Sequence, residues 1–216
     1  MTRVKICCIS SREEAQLAVA AGANALGLVG PMPSGPGVIA DELSREIAAH
    51  TPPGVSSFLL TSETDAEAVI AHHGRVGSSV IQLVDELKSG TFGEIREALP
   101  GIRLVQVIHV LGEASVAEAI SLAEEVDGIL LDSGNPDLKV KELGGTGRTH
   151  DWEVSRKIVE AVSVPVFLAG GLRPDNVREA VRQVRPFGVD LCSGVRTDGH
   201  LDPVKLQAFM AAVRGV

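Results

Sequence analysis

Short runs of β-branched and apolar residues recur along the chain, and each is followed by a stretch whose apolar positions return with helical spacing. That alternation predicts parallel strands joined by crossover helices. Eight such units can be read. Their strands are expected at Val4 to Ile9, Ala25 to Val29, Val55 to Thr61, Val80 to Val84, Leu104 to Val110, Gly128 to Asp132, Val164 to Ala169 and Val189 to Ser193. Eight βα units with no leftover segment favour a closed (β/α)8 TIM barrel over an open doubly wound sheet, which is the second architecture the pattern allows. Helix starts are marked by Ser10-Ser11-Arg12-Glu13-Glu14, Thr64-Asp65-Ala66-Glu67 and Asp175-Asn176, where a short polar side chain precedes the apolar period. Gly22 and Gly74 read as helix stops. No linker divides the chain, so residues 1–216 are expected to form one domain.

Two connections stand out. The one from Ser133 to Asp151 is the longest, and loops beyond about 12 residues in a compact domain are usually functional. The other is Gly-Pro-Met-Pro-Ser-Gly-Pro-Gly at residues 30–37, after the second strand. Both would open on the C-terminal face of the barrel, where active sites of this architecture lie.

Composition narrows the function. Apolar residues make up 44% of the 216 and charged residues 22%, enough for one buried core without disorder. A formal charge of −8, one Trp, five Phe and no Tyr argue against a nucleic-acid surface, which needs a basic face and stacking rings. With neither a signal-like start nor a long apolar run, a cytoplasmic protein that does not engage a membrane is expected. Three cysteines, two adjacent, give no disulfide framework.

Side chains alternate along a strand, so Lys5 and Cys7 share one side while Ile6 and Cys8 share the other; the polar pair is expected inside the barrel and Cys8 toward the helices. Cys7 then reads either as a base or nucleophile at a strand end or as an inert buried thiol. Asp132 ends an apolar strand and delivers a carboxylate to the barrel rim, or else it caps the turn Ser133-Gly134-Asn135. Glycine clusters follow the sixth, seventh and eighth strands: Gly144-Gly145-Thr146-Gly147, Gly170-Gly171 and Ser193-Gly194. Each alone is a turn signal. In phase at three strand ends they predict a phosphate site, because backbone N–H groups can approach an anion there. His109, His150 and the pair His72-His73 show no zinc spacing, and no metal or cofactor is expected. His109 lies near the end of the fifth strand. Lys139, Lys141 and Arg148 could pair with a substrate carboxylate or simply be solvated.

Taken in order and spacing, Val4-Lys5-Ile6-Cys7, Ala21-Gly22-Ala23-Asn24-Ala25-Leu26-Gly27, Leu130-Leu131-Asp132, residues 144–152 from Gly144 to Trp152, Ala169-Gly170-Gly171-Leu172-Arg173-Pro174-Asp175-Asn176-Val177 and Val189 to Val195 resemble the phosphoribosylanthranilate isomerase family over nearly the whole chain. The resemblance implies a TIM-barrel isomerase of tryptophan biosynthesis, acting on a small phosphosugar without a cofactor, as monomer or homodimer. It implies Cys7 as general base and Asp132 as general acid of an Amadori rearrangement. Gly145, Gly147, Gly170, Gly171, Ser193 and Gly194 would hold the phosphate, and Lys5, Gln82, His109, Arg148 and His150 would line the substrate pocket.

The chain departs from the family at several positions. Ser34-Gly35-Pro36-Gly37 stands where the family carries Ser-Pro-Arg, whose Arg meets the anthranilate carboxylate. Gln82-Leu83-Val84-Asp85 replaces Gln-Leu-His-Gly, Cys8 replaces a Gly, and His150 replaces a Phe. These changes suit a paralogue that performs the same rearrangement on a different amine substituent, with His109, His150 or the basic loop rebuilding the specificity pocket. Two alternatives are a phosphosugar-binding barrel without turnover and a different barrel enzyme, an epimerase or aldolase-type lyase. That third enzyme would need a Schiff-base lysine or a metal, and Lys5 is the only inward candidate lysine in a strand.

Overall fold

A computed structural model describes residues 1–134 and 149–215. Eight parallel strands close into a barrel in sequence order: β1 (Arg3–Ile6), β2 (Ala25–Val29), β3 (Ser56–Thr61), β4 (Val80–Leu83), β5 (Arg103–His109), β6 (Gly128–Asp132), β7 (Val166–Leu168) and β8 (Gly188–Leu191). The helices between and after them are α1 (Arg12–Ala21), α2 (Asp41–His50), α3 (Ala66–Val76), α4 (Phe92–Ala98), α5 (Ala114–Leu122), α6 (Trp152–Ala161), α7 (Val177–Val184) and α8 (Pro203–Arg214). The closed barrel is the architecture read from the alternation; the open sheet is not formed.

Alternation along the strands sorts the core into two compartments. One parity, including Ile6, Leu26, Leu28, Ile81, Leu104, Ile129 and Leu191, packs outward against the helices as one continuous shell. The other fills the lumen with Val29, Phe58, Leu60, Val107, Leu130 and Phe167. Phe58 and Phe167 meet edge to face at 5.9 Å, and Lys5 Nζ lies 5.3 Å from the Phe58 ring centre. An apolar floor therefore supports a polar group at mid-barrel.

Local chemistry sets the element ends. Ser11 and Asp65 cap α1 and α3 by accepting from Glu14 N and Ala68 N, and Thr91 with Glu94 forms a full capping box on α4. Gly22 ends α1 in the left-handed conformation, as expected. Gly74 does not end α3; the helix continues to Val76 and stops at Gly77, whose φ of 73° supplies the left-handed cap. Asn176 precedes α7 without a side-chain cap bond, because its amide is turned back on the preceding glycine turn. His72 is buried between Thr61 Oγ1 and Asp41, which joins α3 to β3 and α2.

After β8 comes one turn of 3-10 helix, Ser193–Val195, and a small antiparallel hairpin, β9 (Arg196–Thr197) with β10 (His200–Leu201). Asp198 and Gly199, both at positive φ, make its tight turn. This hairpin is tied to α1 by a buried clamp. Glu14 accepts from Arg196 Nη1 and Nη2, both at 2.9 Å, and from Leu201 N and Ser10 N. Arg196 also donates to the carbonyls of Gly199, Cys7 and Cys8. One ion pair thus fixes the end of β1 against the end of β8.

Glu14→Ala would leave the Arg196 guanidinium buried without its counter-charge, a loss on the order of 3 kcal/mol. Denaturant unfolding should show a midpoint well below the parent's, whereas Arg12→Ala, which removes a half-exposed pair with Glu46, should shift it little.

His150, just before α6, meets Ser155 Oγ through Nε2 at 2.7 Å, and burial lowers its pKa to about 4 from 6.5. The unfolded chain therefore binds a proton that the folded one refuses between those values. Stability from this site is complete above pH 6.5 and falls by up to about 3 kcal/mol as pH drops to about 4. Urea unfolding at stepped pH should show this slope in the parent and a shallower one in His150→Phe.

Candidate active site

The described residues place the pocket at the C-terminal mouth of the barrel. Its walls are Cys7 and Cys8 after β1, Met32, Ser34, Gly35 and Pro36 after β2, Gln82 on β4 with Val84 just beyond it, Asp132 on β6, residues 169–172 after β7 and residues 190–193 at the end of β8. Cys7 N still donates to Leu191 O at 2.8 Å, continuing the β1–β8 ladder past Ile6 and holding the Cys7 side chain at the pocket wall.

Cys8 departs from the expectation. It lines the pocket instead of facing the helices. The reason is its φ of 60°, a left-handed conformation that breaks the strand alternation immediately after β1. The strand ends at Ile6, three residues sooner than the apolar run.

Cys8 and Gly37, which lie in two of the stretches that depart from the family, meet in space. A Cβ on Gly37 would sit 2.4 Å from Cys8 Cβ and 3.1 Å from its Sγ, and Gly37 has φ +82°. While Cys8 holds this conformation no side chain fits at position 37, so an arginine there is excluded by contact and by backbone together.

Charge inside the pocket is arranged around Lys5. Its side chain is fully buried beneath the pocket, with Nζ 2.9 Å from Asp190 Oδ1. Burial pulls the Lys5 pKa down, but Asp190 and the nearby Cys7 more than offset it, so the ammonium is held above its ordinary range. Asp190 is an inward β8 residue that sequence reading missed; barrel closure sets it in register with Lys5. Asp132 is buried and, among the described residues, has no such cation in contact. Burial pushes its pKa up and Asp190 adds to that, against the Ser133 N–H, His109 and Lys5. Its Oδ1 accepts from Ser133 N at 2.7 Å, so the carboxyl both faces the pocket and caps its own turn.

The glycine turn after β7 is built for close approach. Gly170 and Gly171 have φ of 83° and 61°. Asn176 braces them, accepting from Arg173 N and donating to Gly171 O. A Cβ on Gly194 would lie 2.0 Å from Leu172 O, so the β7 and β8 loops touch through a bare backbone. Among the described residues, no acceptor meets the N–H of Gly171 or Gly194. The two loops meet beside the pocket, whose wall includes Gly170, Gly171 and Ser193, and backbone donors without a protein acceptor are what an anion site needs.

The remaining candidates scatter. Gln82 is buried in the pocket wall with Oε1 unpaired among the described residues. His109 lies in register with Asp132 and bonds Val84 O, but its ring lines the adjoining cavity between the β4 loop and α5. His150 turns to Ser155. Gly145, Gly147 and Arg148, with Lys139 and Lys141, lie outside the described residues. Among the described residues no cluster of His, Cys, Asp or Glu has the geometry of a metal site, and no helix is long and apolar enough to cross a membrane.

Comparison with known proteins matches these features to one family. The pattern described as N-(5'phosphoribosyl)anthranilate (PRA) isomerase matches residues 4–212. N-(5'-phosphoribosyl)anthranilate isomerase of Haloferax volcanii is 38% identical, over 99% of this chain and 94% of that protein. The crystal structure of phosphoribosyl anthranilate isomerase from Thermotoga maritima superposes with a TM-score of 0.82 at 30% identity, covering both chains completely. A further isomerase structure, in complex with reduced 1-(o-carboxyphenylamino)-1-deoxyribulose 5-phosphate, has a TM-score of 0.79 at 28% identity, again over 100% of both chains. The chain belongs to the N-(5'-phosphoribosyl)anthranilate isomerase family, the aldose–ketose isomerases of tryptophan biosynthesis.

Proposed function

We propose that this barrel carries out the Amadori rearrangement of N-(5'-phosphoribosyl)anthranilate, with Asp132 as general acid and Cys7 as general base. The observation that carries this reading is the presence of both side chains in one pocket wall, on β6 and β1, beside the glycine turns after β7 and β8. The phosphate would sit on the N–H groups of Gly171 and Gly194, flanked by Gly170 and Ser193, and the ribose would extend from there between the two functional groups.

The protonated Asp132 gives its proton to the furanose ring oxygen, and the C1–O bond breaks as the amine nitrogen's lone pair forms a C=N bond. Cys7 then takes the C2 proton. The electrons of that C–H bond move into the C1–C2 bond, and those of the C=N bond return to nitrogen, giving an enolamine. Loss of the C2 hydroxyl proton and protonation at C1 complete the ketose. The iminium is the electron sink, so the step needs no cofactor. A raised Asp132 pKa fits the acid role, because the group must hold its proton before the ring opens. We read the protein as cytoplasmic, acting as monomer or homodimer.

A second reading concerns the substituent alone. The contact between Gly37 and Cys8 closes the position from which the family's arginine reaches the anthranilate carboxylate. The same rearrangement on a phosphoribosylamine with another substituent fits that change.

Freshly made phosphoribosylanthranilate, followed by loss of its fluorescence, tests both readings. The parent should turn it over, and Cys7→Ala and Asp132→Asn should each lower kcat by roughly 10²- to 10⁴-fold. For the parent, kcat/KM should fall on the alkaline side as Asp132 loses its proton. Absence of turnover in the parent, with the phosphorylated ligand still bound, would discard anthranilate as the substituent and leave the second reading.

A further inference from the structure

The third cysteine lies outside the proposed chemistry. Register between β1 and β8 pairs Ile6 with Leu191, so the next residues, Cys7 and Cys192, stand side by side at the barrel mouth. The left-handed turn at Cys8 swings its side chain to the same wall. Cys8 and Cys192 then line the same two cavities, the pocket itself together with Cys7 and a groove beside it, and all three thiols are free. Among the described residues they do not form a metal-ligand set.

The two thiols at positions 8 and 192 are unlike. Cys192 is half-buried and lies beside the Arg196 guanidinium, itself fixed by Glu14. The neighbouring Cys8 thiol and the Arg196 charge, which shares a groove with it, favour the Cys192 thiolate, so its pKa is lowered against the effect of burial. Cys8 is the opposite case: its thiol neighbours and its burial push its pKa up. A half-buried cysteine beside a guanidinium, with a second cysteine in the same cavity wall, is the arrangement of a peroxide-reactive thiol with its resolving partner. Access is provided by a groove of about 380 Å³ on the outer side of the pocket wall, where Cys8, Cys192 and Arg196 meet Ser10, Pro36 and Gly37.

We propose that Cys8 and Cys192 form a reversible oxidation site at the mouth of the barrel, with Cys192 the attacking sulfur and Cys8 the resolving one, and a small hydroperoxide as oxidant. The Cys192 thiolate attacks the near oxygen of hydrogen peroxide. The O–O bond breaks, hydroxide leaves and is protonated to water, and the sulfur is oxidised to a sulfenic acid. The Cys8 sulfur then attacks that sulfur. An S–S bond forms, the S–O bond breaks, and the hydroxyl leaves as water with the Cys8 proton. Two thiols and one peroxide thus give one disulfide and two waters. The bridge would tie the end of β1 to the end of β8 beside Cys7, beneath the Gly37 backbone that packs on Cys8. It stands whether or not the isomerase reading holds, because the chemistry is that of the thiols alone.

The purified full-length protein is treated with one equivalent of hydrogen peroxide, blocked with iodoacetamide, cut with trypsin and mapped by mass spectrometry. Residues 6–12 and 183–196 should emerge joined, lighter by two hydrogens than the separate peptides, and should separate with dithiothreitol. Fragment ions should place the link at Cys8, it should persist in Cys7→Ser, and Cys192→Ser should lose it with Cys8 recovered alkylated. A link through Cys7, a sulfinic acid on Cys7 with Cys8 and Cys192 both alkylated, or full alkylation of all three thiols would overturn the proposal.

Discussion

The buried ion pair between Lys5 and Asp190 is the constraint from which the rest of the mouth follows. A fully buried ammonium is tolerated only with a counter-charge in contact, and removing one partner of such a pair typically costs about 3–5 kcal/mol. Asp190 supplies that charge at 2.9 Å, and the Phe58 ring face lies beneath the ammonium. The pairing locks β1 to β8 at the height where Cys7 leaves the strand. Among the described residues it also uses the cation seated under the pocket on one of two carboxylates. Burial, with Asp190 nearby, pushes the Asp132 pKa above the usual carboxylate range, the direction a general acid needs.

Periodicity carried much of the fold and part of the site. The strands are short apolar runs delivered at regular intervals, and alternation alone distinguishes the lumen-facing parity from the helix-facing one, which correctly places Lys5 inside the barrel. It failed at Cys8, because a single left-handed residue reverses the sidedness that the pattern assumes, and nothing in the local composition announces φ 60° at a cysteine. It also misplaced the end of α3, since Gly74 and Gly77 are equally plausible stops and only the backbone decides between them. Asp190 and the Glu14–Arg196 clamp were not legible for a different reason. Glu14 and Arg196 are 182 residues apart, and barrel closure, not local sequence, brings them together.

Family membership and local departure are compatible because they concern different parts of the mouth. The glycine turns after β7 and β8, braced by Asn176 and pressed together at Gly194, form the half of the pocket suited to a phosphate. The β2 loop forms the other half. There Gly37 packs on Cys8, which holds a left-handed conformation just after β1, so the loop carries no side chain at that position.

The state of Asp132 is the most direct test of this electrostatic arrangement. Infrared difference spectra of the parent against Asp132→Asn at neutral pH report it, since a protonated carboxyl and a carboxylate absorb in separate regions. A carbonyl band of a buried protonated acid, present in the parent and missing in the variant, is the expected result. Loss of a carboxylate band instead would mean that Asp132 is ionised beside Asp190, and it would remove the physical basis for its role as the acid.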